Sequence, residues 1–372
     1  MKIGILGCRG IPNHYGGFEQ FAEYLSKGLV ERGMEVWVYN SHNHPYQEKL
    51  WKGVNIIHCY DPEFKIGTAG QFVYDFNCIL DSRKRNFDII YQLGNTSSAV
   101  WHRLLPSKSY RISNMDGLEW IRTKYSKKVR QFLKYAEKTA VQTNDLLISD
   151  SEAIKDYVLK TYNRNSVFIP YGAEVFENPD RNQLKTYNIE ANAYLMLISR
   201  FQPDNHIEEI IKGVLLSETK LPLLVIGNYN SKFGNYLYRT YNSSKIRFMG
   251  TIFDIEILNQ LRFFSKLYFH GHSSGGTNPS LLEAMASSAL ICAHDNVFNR
   301  DVLKDNAFFF QDENQIAAII DNEIDDYKKS IWIPENIVKL HTVYNWEKIV
   351  TTYFDLFSEI DGEGRRKANG AK

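Results

Sequence analysis

The 372-residue sequence holds only four cysteines, Cys8, Cys59, Cys78 and Cys292, and no two of them form a C-x-x-C pair. A disulfide framework or a cysteine zinc site does not fit that pattern, and a reducing compartment does. No apolar run approaches the roughly 18–20 residues needed to span a bilayer. Charge of one sign is missing too: 44 Lys and Arg against 43 Asp and Glu leave a formal net charge of +1. A dedicated nucleic-acid binder would carry a large basic surplus, so no nucleic-acid partner is expected. There is no short-period repeat. The opening Met1-Lys2-Ile3-Gly4-Ile5-Leu6-Gly7 is too short and too glycine-broken for a signal peptide and reads as a buried first strand. These absences predict a cytoplasmic protein, touching a membrane at most from its inner face.

What is present is a globular composition, 44% hydrophobic and 14% aromatic. At roughly 100–200 residues per domain, the length predicts two domains. Short apolar runs alternate with amphipathic stretches of helical length, the pattern of β-α units around a parallel sheet. In the first series the strands fall at 2–6, 36–39, 88–92, 110–114, 146–149 and 167–169, with a helix over 18–31 closed by Arg32-Gly33. A polar stretch at 178–186 precedes the second series, with strands at 194–198, 223–226, 246–249, 267–270 and 290–293. The reading is α/β: two facing doubly wound Rossmann-like domains, 1–178 and 187–345, a helix over 346–361 packing back on the first, and a polar tail at 362–372.

The first glycine loop runs Gly7-Cys8-Arg9-Gly10-Ile11-Pro12-Asn13-His14-Tyr15-Gly16-Gly17-Phe18-Glu19. It lacks the G-x-G-x-x-G spacing of a dinucleotide site, and the second strand ends in Asn40-Ser41, with no acidic residue for a ribose. Gly16 and Gly17 stand just ahead of a helix, where free amides and the helix dipole make an anion cradle. A tight turn that needs positive φ is the other reading.

A richer segment is His270-Gly271-His272-Ser273-Ser274-Gly275-Gly276-Thr277-Asn278-Pro279-Ser280-Leu281-Leu282-Glu283-Ala284-Met285. A strand runs into small residues and then a helix with Pro279 at its first position, so Thr277 or Asn278 caps it. The amides from Asn278 to Leu281 then face a bound diphosphate. Glu283, one turn in, reaches ribose hydroxyls or simply meets solvent. Gly271 falls directly after its strand, where backbone passes close to something.

The Gly16-Gly17 loop, Ser199-Arg200-Phe201-Gln202-Pro203-Asp204-Asn205-His206 and the segment from Gly276 to Met285 resemble retaining GT-B glycosyltransferases of the glycogen-synthase-like superfamily. Ile148-Ser149-Asp150-Ser151 and Ile169-Pro170-Tyr171-Gly172 are similar to its hinge-proximal elements. More narrowly, Arg9-Gly10-Ile11-Pro12, Tyr15-Gly16-Gly17-Phe18-Glu19, Asp116-Gly117-Leu118-Glu119-Trp120 and Gly275-Gly276-Thr277-Asn278-Pro279-Ser280 resemble the β-1,4-L-rhamnosyltransferase subgroup of bacterial surface-polysaccharide assembly. The resemblance implies a nucleotide-diphosphate sugar as donor, with dTDP-L-rhamnose the best match, and a lipid-diphosphate-linked saccharide as acceptor. It places Gly16, Gly17, Arg200, Asp204, Asn205, His272, Gly276, Thr277, Asn278, Pro279, Ser280, Leu281 and Glu283 on the donor side. Tyr15, Glu19, Asp116 and Glu119 fall on the acceptor side, and Asp116 and Arg200 are the catalytic candidates.

The sequence departs from the superfamily's Glu-x7-Glu and Arg…Lys patterns, with Gly275 at the first Glu position and Asn205 where Lys stands. Both departures occur in the rhamnosyltransferase-like subgroup, and His272 or His206 is available to fill in. Arg200 suits two phosphate oxygens and the charge growing on a departing diphosphate, or else sits in a surface ion pair. Asp204 either caps the following helix or approaches the donor. Asp116, after a strand, either orients an acceptor hydroxyl and takes its proton or makes an Asp-Gly turn.

No cofactor and no metal are expected: there is no Asp-x-Asp at a strand end, and His42/His44 and His270/His272 read as loop histidines without further ligands. The first 180 residues carry 23 basic and 20 acidic side chains. Their surplus gathers at 122–138, where Arg122, Lys124, Lys127, Lys128, Arg130, Lys134 and Lys138 are opposed only by Glu137. That stretch is either a surface for anionic lipid headgroups or a solvated helix face.

Overall fold

In the computed structural model the described residues are 1–115, 117–122 and 124–369, with side chains to residue 360. Asp116, a catalytic candidate, lies outside them. The chain divides into two compact units: Met1–Trp120, Lys127–Tyr171 and Trp346–Lys372 in one, Ile121–Ser126 and Gly172–Asn345 in the other.

The first unit has an eight-stranded sheet of β1 (Lys2–Leu6), β2 (Glu35–Ser41), β3 (Leu50–Trp51), β4 (Val54–Cys59), β5 (Ile89–Gln92), β6 (Tyr110–Met115), β7 (Leu146–Ser149) and β8 (Val167–Phe168). Their order is β3-β4-β2-β1-β5-β6-β7-β8, and every pair is parallel except β3 with β4. The order reverses at β1, whose Ile3 pairs with Val36 on one side and Ile89 on the other. Helix α1 (Gly17–Glu31) buries Phe21, Leu25 and Leu29, a stripe at four-residue spacing that faces the sheet. The final helix, α2 (Trp346–Asn369), is longer than the 346–361 expected and packs within this unit. Trp346 stacks on Tyr24 at 4.4 Å, and the Tyr353 hydroxyl lies 2.8 Å from that of Tyr91.

The second unit has six parallel strands: β9 (Leu195–Ile198), β10 (Leu223–Ile226), β11 (Ile246–Gly250), β12 (Leu267–His270), β13 (Ile291–His294) and β14 (Phe308–Phe310). Their order is β11-β10-β9-β12-β13-β14. The central strands are apolar throughout because helices cover both faces of a parallel sheet. The helix Ile207–Leu216 turns Ile207, Ile210, Ile211 and Val214 onto Leu195, Leu197 and Phe269. Each such buried side chain contributes about 1.5–3 kcal/mol.

The winding reverses between β9 and β12, so the loops leaving their carboxyl ends splay apart at a topological switch point, where open α/β sheets receive ligands. Both segments singled out in the sequence, 199–206 and 271–283, leave from these two strands.

Candidate functional site

In the first unit the loop after β1 is pinned to the end of β2. Asn40 Oδ1 accepts from the Ile11 amide at 3.0 Å, and its Nδ2 donates to the Ile11 carbonyl at 2.8 Å. A Cβ on Gly10, at φ +124°, would lie 2.3 Å from Asn40 Cγ, so only glycine fits there. Buried Glu19 accepts from the Arg9 amide at 2.8 Å, and the Arg9 guanidinium pairs with Glu63 and covers the exposed ring of Tyr15 at 4.0 Å. Glu19 thus braces the loop rather than presenting a free carboxylate. Glu119 is half-buried and opens a short turn.

Gly16 precedes α1 in extended backbone at φ −168°, and neither it nor Gly17 has positive φ. The turn reading therefore fails. A Cβ on Gly16 would meet only Glu19 Oε2, at 3.4 Å, and no side chain caps α1.

In the second unit, Arg200 follows β9 with an exposed side chain and has no ion-pair partner among the described residues. Its carbonyl accepts from Asn205 Nδ2 at 2.8 Å, which turns buried Asn205 back to hold the loop. Asp204 does not cap the next helix. His206, at φ 47°, occupies that position with no side-chain cap, while the Asp204 carbonyl accepts from both the amide and the hydroxyl of Ser273. The β9 and β12 loops are thereby tied together. Gly271 completes the contact: a Cβ there would lie 2.0 Å from the Asn205 carbonyl oxygen.

Four histidines gather at this edge. His206 Nδ1 donates to the Gly271 carbonyl at 2.8 Å, and its ring stacks on His294. His270 stacks on His272 with centroids 4.5 Å apart. His270 is fully buried, not a loop histidine as its spacing suggested, and neither ring nitrogen has a hydrogen-bond partner among the described residues. Burial first, then the Arg262 charge, pushes it down to about 3. His272 is held well below its ordinary range by burial and by the charges of His270, Arg200 and Arg122. Its carbonyl is fixed by Asn296 and Asn299. His44 in the first unit is buried too, beside the His14 ring at 4.4 Å. Among the described residues no group of three or more His, Cys, Asp or Glu is arranged to hold a metal ion.

In the loop from Ser273 to Thr277, Gly275, at φ +128°, has nothing within 4 Å of a Cβ, whereas Gly276 and Thr277 are buried. Asn278, not Thr277, caps the helix α3 (Pro279–Ala286), its Oδ1 accepting from the Ser280 amide at 3.0 Å while its carbonyl takes the Leu281 amide. The Ser280 and Leu281 amides, two of those expected to face an anion, are therefore engaged within the first turn of α3. Leu281 is buried, and the Ser280 hydroxyl lies 3.2 Å from that of Tyr268.

Glu283 is not merely solvated. Its Oε2 accepts from Arg262 Nη2 at 2.5 Å, and that arginine is only 1% exposed. The sequence reading missed Arg262. Its signal was an arginine one turn after Leu258 and directly before Phe263-Phe264, a charge set in an apolar helix face.

Opposite charge management governs the helix Lys127–Thr143. Glu137, its one acidic residue, is drawn inward by Trp120 Nε1, Tyr157 and Tyr162, leaving Lys127, Lys128, Lys134 and Lys138 exposed. Among the described residues no helix is long and apolar enough to cross a membrane.

Two doubly wound units, each built on a mainly parallel sheet, have the architecture of a GT-B fold. The comparisons agree. Sucrose-phosphate synthase from Thermosynechococcus elongatus superposes with a TM-score of 0.78 at 16% identity, over 97% of this chain and 99% of that one. HepE from Anabaena, in complex with UDP and glucose, gives 0.74 at 16% identity over 96% and 100%. WaaG, a glycosyltransferase involved in lipopolysaccharide biosynthesis, gives 0.68 at 13% identity over 96% and 99%. A family model described as a domain of unknown function (DUF1972) matches residues 1–174. No curated protein matches the sequence.

Proposed function

We propose that this chain is a glycosyltransferase that moves a sugar from a nucleoside diphosphate to a saccharide acceptor. The observation that carries the reading is Arg200, a guanidinium with no ion-pair partner among the described residues, set at the switch point beside half-buried His272, whose charged form is disfavoured there, and beside Gly275, around which there is open space. A guanidinium can bind two phosphate oxygens and offset the charge that grows on a leaving diphosphate. HepE, of the same fold, is known with UDP-glucose.

On this reading the donor is dTDP-L-rhamnose, transferred with retention and without a metal. The bond from the anomeric carbon to the diphosphate oxygen breaks as the acceptor hydroxyl attacks the same face. The leaving phosphate oxygen takes the hydroxyl proton, so the protein supplies position and charge. Asp116 orients the acceptor hydroxyl, and Gly16-Gly17 admits the substrate close to α1. The acceptor is a lipid-diphosphate-linked saccharide, and the exposed lysines of the helix Lys127–Thr143 dock on anionic headgroups at the inner face of the membrane.

The test is a thermal-shift screen across nucleotide sugars followed by transfer assays. A ligand at 100 times its dissociation constant adds about 2.7 kcal/mol of stability. dTDP-rhamnose should stabilise and be consumed only with acceptor, and Arg200→Ala should abolish transfer in a folded protein. Stabilisation by a UDP or GDP sugar with dTDP-rhamnose inert would overturn the donor assignment. A second reading, a non-catalytic nucleotide-sugar binder, is favoured by Asn205 bonding the Arg200 carbonyl rather than facing a ligand; binding without transfer to any lipid-linked acceptor would support it.

A further inference from the structure

We propose that Arg262 is a positioning residue that holds Glu283 in the orientation needed to receive the 3′-hydroxyl of the donor nucleotide's pentose. This rests on the reading of Glu283 as the pentose-facing carboxylate.

Arg262 lies at the end of the helix Ile255–Phe263 and is 1% exposed. Its Nη2 donates to Glu283 Oε2 at 2.5 Å and its Nη1 to Asn259 Oδ1 at 2.9 Å, whereas Nε has no partner among the described residues. The single Ser287 hydroxyl proton is shared between two acceptors, the Glu283 carbonyl at 2.8 Å and Asn259 Oδ1 at 3.2 Å. A closed ring thus runs from the guanidinium through Glu283, one turn of α3, Ser287 and Asn259 back to the guanidinium.

Burying an arginine with one donor unsatisfied is expensive, and an apolar side chain of similar volume commonly stabilises a core as well or better. Stability is therefore a poor reason for it. Geometry is a better one. A glutamate on a helix surface samples several rotamers, each of which must be frozen before it can hold a ligand. Here the carboxylate keeps 23% side-chain exposure, enough to meet a ligand, while one oxygen is fixed from below by a group that cannot deprotonate. Asn259 and Ser287 fix the guanidinium and the helix turn relative to each other. The adjoining Tyr268 and Ser280 hydroxyls, 3.2 Å apart, close the same wall.

The experiment measures binding of dTDP and of its 2′,3′-dideoxy analogue to the full chain by calorimetry, for the wild type and for Glu283→Gln, Arg262→Met and Arg262→Lys. The ratio of the two affinities isolates the deoxyribose 3′-hydroxyl, which a general loss of stability does not move. The wild type should prefer dTDP by about tenfold or more, the size of a hydrogen bond to a charged group. Glu283→Gln and Arg262→Met should each bring the ratio near one, and the double variant should fall no further. Arg262→Lys, keeping the charge without the fork, should retain part of the preference. If Glu283→Gln removes the preference while Arg262→Met keeps it, the positioning role is overturned and the pentose reading stands. If Glu283→Gln keeps the preference, the pentose reading falls and the inference with it. Should Arg262→Met fail to fold, Arg262→Lys decides: full preference there, where a forked partner is gone, also overturns the proposal.

Discussion

The imidazoles of His206 and His294 stack with centroids 3.8 Å apart and planes 15° from parallel. Burial, and then the neighbouring His206 charge, pushes His294 down to about 4. Behind this pair, fully buried His270 sits lower still. A histidine kept neutral in the folded state but free to charge at its usual 6.5 when unfolded contributes stability that is lost as pH falls below 6.5, at about 1.4 kcal/mol per pH unit. His270→Phe removes that dependence. Urea titrations between pH 6.5 and 4 should show the variant gaining on the wild type by about that slope as pH falls. A constant difference across the range would refute it.

Asp75 in the first unit behaves oppositely. Burial is the main cause pushing its carboxyl up to about 7, against the Ser97 hydroxyl that donates to it at 2.5 Å. The folded state then holds a proton that the unfolded chain releases near 4, so stability falls as pH rises from about 4 through 7 and levels off above. Asp75→Asn, which still accepts from Ser97, should gain on the wild type over that window by about 1.4 kcal/mol per pH unit. Parallel unfolding curves at pH 5 and 7 would contradict this.

Gly271 is fixed by space. An alanine there puts Cβ 2.0 Å from the carbonyl oxygen and 2.9 Å from the carbonyl carbon of Asn205, backbone atoms that cannot swing away. The 199–206 loop must shift, at a cost of about 1–3 kcal/mol. Gly271→Ala should therefore lower both the unfolding free energy and the dTDP affinity. Gly250, at φ 72° with nothing within 4 Å, is fixed by backbone conformation alone. Gly250→Asn should cost about 1 kcal/mol or less, since asparagine visits that region readily. Equal damage from both would show that the loop contact is unimportant.

Lys127, Lys128 and Lys134 are exposed, and Glu137, the one carboxylate on their helix, is already engaged by Trp120, Tyr157 and Tyr162. Each such lysine adds about 1 kcal/mol of attraction to an anionic surface. Reversing all three to glutamate should reduce co-sedimentation with phosphatidylglycerol vesicles at least tenfold and leave thermal stability within about 1 kcal/mol. Unchanged sedimentation would leave this face a solvated one.

Most of the fold was legible because parallel strands covered on both faces must be apolar throughout, as in Leu195-Met196-Leu197-Ile198 and Leu223-Leu224-Val225-Ile226. The strands that were not seen are short or interrupted. Asn55 and His58 interrupt β4 toward the sheet's edge, β3 is two residues long and β14 three. At the site, glycines marked the loops, because close backbone approach leaves a residue-type signature. Partners did not. Arg262 and Glu283 are 21 positions apart on different helices, and only packing of those helices brings them together. The use of Asn278 to consume the α3 amides was equally hidden, since the same sequence fits a cap at Thr277.

The route of the chain through its two units sets an order of assembly. Tyr353 and Phe357 of α2 complete the aromatic core around Phe21 and Tyr91, yet they follow the entire second unit in sequence. During synthesis, residues 172–345 emerge and can fold while that core still lacks one wall. The first unit, begun earliest, is finished last, and a nascent chain halted before Trp346 would hold a folded second unit beside an open first one, with Phe21 and Tyr91 exposed to the cell's holding chaperones.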